Sequence, residues 1–133
     1  MSDTSPSPKI HIAASDAETF VYEVLVANNV SQENARTVAR CLIAADLRGV
    51  DTHGMNRIPS YLERLRQGVL DGSATPEIKQ VTPVVTQVDA RNGWGFVAAD
   101  VGIAAAIEAA KVCWMLLSDH VVVHISFRTC TAM

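Results

Sequence analysis

Residues 44–68 read AADLRGVDTHGMNRIPSYLERLRQG. The first third mixes Ala44, Ala45 and Leu47 with charged Asp46 and Arg48, and Gly49 then breaks it. Asp51-Thr52-His53-Gly54 follows, and the rest alternates charge with Ile58, Leu62, Leu65 and Val69. That spacing predicts a helix over roughly Asn56–Gly68, with Pro59 tolerated in its first turn. At about 100° per residue, His53, Arg57 and Tyr61 (i, i+4, i+8) fall within about 80° of arc, and Arg64 joins them. The apolar four lie on the adjacent face, so one side is expected to anchor while its neighbour presents His, Arg and Tyr together.

Upstream, Ala35, Val38, Ala39, Leu42 and Ile43 recur at helical spacing behind Ser31, a good N-cap. An earlier helix is expected to start at Ser15-Asp16, to bury Phe20, Val21, Val24 and Leu25, and to end at Asn28-Asn29. The link is short, so the two should form a hairpin. Lys9–Ala13 alternates and is expected to be a short edge strand with His11 at the surface. Downstream, strands are expected near Ile78–Val81 and Val84–Val88. Asp89–Gly95 reads as a turn cluster and Phe96–Lys111 as an Ala-rich helix. The expected fold class is α+β: a bundle of about three helices, then short strands and the Ala-rich helix. The divisions are a disordered leader over 1–8, a helical region with the D-T-H-G motif over 9–75, the start of an α/β region over 76–111, and a divergent tail over 112–133.

Composition narrows the function classes. Apolar residues make up 49% of 133, enough for one core, and aromatics only 5%, so that core should be aliphatic and Ala-rich. Lys and Arg total 11, net charge is −3, and no basic run occurs, so no nucleic-acid partner is expected. No apolar run reaches spanning length and no signal peptide is read, so a cytoplasmic protein without a membrane partner is expected. Cys41, Cys113 and Cys130 are odd in number and form no C-x-x-C pair, so neither a disulfide framework nor a metal site is expected.

The His53, Arg57, Tyr61 face has a chemical logic. Histidine titrates nearest neutrality and exchanges protons at working pH. The guanidinium fork matches a carboxylate in bidentate fashion. Together they suit a small oxo- or hydroxy-acid, with Arg48 and Asp51 placed to orient or balance the charges. Spacing alone is equally met by a solvated helical face. Gly49 and Gly54 on either side of His53 point to a constrained backbone.

The quoted stretch resembles the most distinctive N-terminal block of the malate/L-lactate dehydrogenase family, and VDARNGWGFVAADVGIAAAIEAAK (residues 88–111) is similar to the segment that follows it. The likeness covers about residues 9–111. It implies a non-Rossmann fold and an NAD(P)-dependent oxidoreductase acting on a small 2-oxo or 2-hydroxy acid as a homodimer. The histidine of the family's D-[ST]-H-G motif falls on His53, the expected proton donor or acceptor. The arginine four residues on falls on Arg57, beside the substrate. Thr52 and Tyr61 match the same block and are expected at the substrate as well. The resemblance implies NAD or NADP but assigns no cofactor-binding residue here, because most of that site would come from a much longer continuation. From Val112 onward the sequence does not look like the family, and a truncated chain is expected. The alternative is a catalytically silent helical interaction module.

Other candidates have simpler readings. Asn92-Gly93-Trp94-Gly95 precedes a helix, yet its glycines do not fit G-x-G-x-x-G, and a turn is the better reading. Cys41 sits in an apolar helix and reads as a structural thiol. Ser118-Asp119-His120 superficially matches a second family motif but comes too early and lacks its glycine-rich lead-in. Val121–Ile125 is β-prone, and His124 lies within it.

Overall fold

The structure is a computed structural model that describes residues 10–82 and 85–116. Helix α1 spans Ala14–Ala27 and α2 spans Gln32–Leu47. Two 3-10 turns, Asp51–His53 and Met55–Arg57, lead into α3, Ile58–Arg66. Strands β1 (Glu77–Thr82) and β2 (Val85–Asp89) pair antiparallel, and α4 (Gly95–Leu116) follows. The molecule is mostly helical with one small two-stranded sheet among the described residues.

The first three helices end by the same device. Val30 N–H bonds Leu25 O across Asn29, Val50 N–H bonds Ala45 O across Gly49, and Val69 N–H bonds Arg64 O across Gly68. The bridged residues have φ of 64°, 73° and 69°. This left-handed step satisfies terminal carbonyls and favours Gly or Asn, the residue types found there. At the start of α2, Ser31 Oγ accepts the Asn34 N–H, as its type predicts.

The core forms where α1 and α2 face each other and extends to the later elements. Val21 and Leu25 meet Ala35, Val38, Ala39, Leu42 and Ile43, joined by Ile58, Trp94 and Val97. The α2 stripe is the one read from the sequence, and each such Leu or Val contributes about 1.5–3 kcal/mol on full burial. Asn34, itself buried, donates from Nδ2 to Gly72 O and Ala74 O, which pins the 72–74 loop to α2.

Several expectations are corrected here. The strand expected over Lys9–Ala13 does not form in its described part: residues 10–13 have no strand partner, and Ile10 and Ile12 are exposed. Alternation without a neighbouring strand supplies no ladder hydrogen bonds. Helix α1 begins at Ala14 behind Ala13, so Ser15 and Asp16 lie inside its first turn. Phe20 is 55% exposed, because the core stripe runs Ala14, Ala17, Val21, Val24 and Leu25. Helix α3 is shorter than Asn56–Gly68, and Val69 faces out while Leu70 packs on the core, because the turn at Gly68 redirects the chain. The strands stand close to where they were expected, with an irregularity between Gln80 and Thr82.

Candidate functional site

The segment between α2 and α3 is built around Asp46. Its backbone carbonyl accepts the Gly49 N–H at 2.9 Å, closing the end of α2. Its carboxylate Oδ2 accepts the Met55 N–H at 2.9 Å. Gly54, buried and extended at φ −93° and ψ −151°, passes directly beneath that carboxylate. A Cβ on Gly54 would fall inside the Asp46 carboxyl group. Gly54 is therefore required by close approach rather than by a left-handed φ; Gly49 supplies the left-handed step.

This arrangement overturns the expected helical face. His53 closes the first 3-10 turn, through His53 N–H to Val50 O, and Arg57 closes the second, through Arg57 N–H to Gly54 O. Extended Gly54 separates them, so His53 and Arg57 do not lie on the helix that carries Tyr61. The i, i+4, i+8 arc assumed unbroken helix; the Asp46–Met55 bond and the buried Gly54 interrupt it. His53, Arg57 and Thr52 are nonetheless all exposed on one short segment. Tyr61 is half-buried instead, with its ring edge-on to Trp94 at 5.4 Å and to Phe96 at 6.2 Å.

Thr52 Oγ1 lies 3.0 Å from His53 Nδ1. That contact occupies one ring nitrogen and leaves Nε2 as the one available to a ligand. Among the described residues the Arg57 guanidinium has no hydrogen bond or ion pair. Arg48 and Asp51 are exposed as well and form no ion pair with each other. The Asp51 carbonyl accepts from Gly54 N–H at 3.3 Å and is 3.5 Å from Asn56 Nδ2. An exposed imidazole and an exposed guanidinium on one short segment are chemically able to exchange a proton with a small carboxylate and to hold it.

The remaining candidates have structural explanations. At Asn92-Gly93-Trp94-Gly95 the chain turns through Arg91 and Asn92 at φ 52° and 58°. A Cβ on Gly93 would meet Ala74 Cβ and Ala90 O at 2.8 Å each, so packing fills the space a phosphate would need. The Asn92–Gly95 turn therefore does not offer a phosphate cradle. Cys41 is half-buried; burial pushes its thiol pKa up, Arg40 pulls it down and Asp100 raises it. Among the described residues no three His, Cys, Asp or Glu side chains gather as metal ligands. Nor is any helix there long and apolar enough to cross a membrane. His11 is exposed in an irregular segment. Ser118, Asp119, His120, His124, Cys130 and the Val121–Ile125 run lie outside the described residues.

Asp46 was missed by the sequence reading, although a signal was present. A carboxylate in the last turn of a helix opposes the helix dipole and calls for a compensating partner. That partner is Met55 N–H.

Comparison with known proteins places this segment in context. The malate/L-lactate dehydrogenase family matches residues 12–121. This chain belongs to the malate/L-lactate dehydrogenase family. It is 36% identical over 100 residues to a (2R)-3-sulfolactate dehydrogenase (NADP(+)) of Chromohalobacter salexigens, covering 75% of this chain and 30% of that one. It is 29% identical over 102 residues to a Delta(1)-pyrroline-2-carboxylate reductase of Ancylobacter novellus, covering 77% and 30%. Among solved structures it is similar to malate dehydrogenase from Entamoeba histolytica, at 39% identity and a TM-score of 0.71, covering 76% of this chain and 28% of that one. The chain thus spans about 30% of the length of the curated relatives it matches. The family match runs to residue 121, ten residues past the Lys111 limit read from the sequence.

Proposed function

We propose that this chain carries the substrate-side segment of a 2-hydroxy-acid dehydrogenase. His53 gives a proton to, or takes one from, the substrate oxygen at C2. Arg57 grips the carboxylate, and Thr52 holds the imidazole through Nδ1 so that Nε2 faces the ligand. Tyr61 lines the substrate side while its ring remains seated on Trp94. The observation that carries the reading is the Asp46-held segment, which exposes both His53 and an Arg57 that is unpaired among the described residues, in a chain of this family. A nicotinamide cofactor, NAD or NADP, supplies the hydride chemistry when bound. The nucleotide-binding fold is of the non-Rossmann type. The reading also includes a small carboxylate substrate, a homodimer as the working assembly and a cytoplasmic location, with neither nucleic acid nor membrane as partner.

The test is direct. Purified chain is mixed with NADH or NADPH and a panel of 2-oxo acids, and loss of reduced cofactor is followed by absorbance. Because the chain is incomplete relative to its family, turnover is expected to be weak or nil, and any that is seen should disappear in His53→Ala. Turnover unchanged in His53→Ala would overturn the assignment. A second reading, a catalytically silent helical module, is favoured by one observation: the Gly93 turn is packed shut by Ala74 and Ala90. A folded chain that binds no cofactor at millimolar concentration would support it.

A further inference from the structure

We propose that Asp46 is a positioning residue for the His53–Arg57 segment, acting through the backbone rather than on the substrate. The inference rests on the reading above for its functional meaning, but its geometry stands independently.

Asp46 is in the last turn of α2, where a carboxylate faces the negative end of the helix dipole. An Asp with no local task would turn to water. Instead it is half-buried, and its two acceptors hold both ends of one loop. The backbone carbonyl takes Gly49 N–H and the side chain takes Met55 N–H, each at 2.9 Å. Residues 50–54, including Thr52 and His53, are the span between those anchors. Met55 opens the second 3-10 turn, which Arg57 closes. One side chain therefore fixes where the imidazole segment ends and where the guanidinium segment begins.

The lock has a matching part. The carboxylate reaches Met55 only because Gly54 has no Cβ in its way. Asp46 and Gly54 are therefore coupled: enlarging Gly54 evicts the carboxylate, and shortening Asp46 makes room for a methyl. A residue acting only as helix filler would show no such coupling.

The experiment uses the full chain labelled with 15N. Amide exchange of Met55, the positions of the His53 and Arg57 signals, and their shifts on titration with L-malate are compared across variants. Asp46→Ala is expected to speed Met55 exchange and weaken malate binding by about tenfold each, the scale of one lost hydrogen bond to a charged acceptor. The far-ultraviolet helical signal should be unchanged. Asp46→Asn, which keeps an Oδ acceptor, should restore most of both. Gly54→Ala should perturb His53 and Arg57 strongly with Asp46 present and much less in the Asp46→Ala background. Unchanged Met55 exchange in Asp46→Ala, or additive effects in the double variant, would overturn the proposal. If Asp46→Ala unfolds, Asp46→Asn still decides, because loss of Met55 protection there contradicts a role as acceptor. If the parent chain binds no malate, the substrate reading fails, while Met55 exchange and the double variant still decide the role of Asp46.

Discussion

In the proposed role, His53 and Arg57 would meet a ligand through what they leave free, namely Nε2 on the ring and a guanidinium that has no partner among the described residues. Arg57→Lys keeps the charge and loses the planar fork, so it should raise KM for a 2-oxo acid by about tenfold, with a smaller effect on kcat. Steady-state kinetics of the variant checks this. Asp71 supplies a pH prediction. Ser73 backbone N–H and Oγ both donate to its Oδ1 at 2.8 Å, and these bonds hold the Asp71 carboxyl below the usual carboxylate range. A depressed folded pKa means that its contribution is present above the unfolded value of about 3.9 and is lost as pH falls through the lower folded value. Asp71→Asn should therefore lower stability slightly near pH 7, where the charged carboxylate contributes, and flatten the fall below about pH 4, as read by urea melts across pH. At this scale the sequence was informative about residue types. His53, Arg57 and Thr52 are exposed on one segment, as their chemistry asks. Tyr61 could not be placed correctly by spacing, because its surroundings come from Trp94 and Phe96, more than thirty positions away.

Helices α1 and α2 were legible because their stripes, stops and cap are local: Ser31 at the start of α2, and Asn29 and Gly49 at the two ends. Replacing the cap tests the element. Ser31→Ala removes the acceptor for Asn34 N–H and should cost about 0.5–2 kcal/mol, measured by chemical denaturation. The helical face expected to carry His53, Arg57 and Tyr61 was only partly legible, for a definable reason. Its interruption at Gly54 is imposed by a carboxylate from the preceding helix, and a tertiary contact of that kind leaves no periodic trace. The same limit explains Lys9–Ala13. The alternating pattern is real, but a strand needs a partner, and β1 pairs with β2 instead.

The described residues are held by a principal core centred on α2, with a smaller cluster of Val88, Ala90 and Ala98 where β2 meets α4. Leu42 is fully buried in the principal core, so Leu42→Ala should destabilise by about 2–5 kcal/mol in equilibrium denaturation. Ile78 and Val81 of β1 and Ile103 and Ile107 of α4 are each about half exposed. The chain spans about 30% of the length of its curated relatives, and the proposal for it is that the segment carrying His53 and Arg57 binds a small carboxylate. The most direct measurement of that claim is ligand binding followed residue by residue. L-malate and a 2-oxo acid are titrated into the labelled chain while the His53 ring and the Arg57 guanidinium are observed by NMR. Saturable shifts centred on His53 and Arg57, abolished by Arg57→Ala with the fold intact, are the predicted result. A folded chain whose His53 and Arg57 signals stay still up to high millimolar ligand would contradict the account.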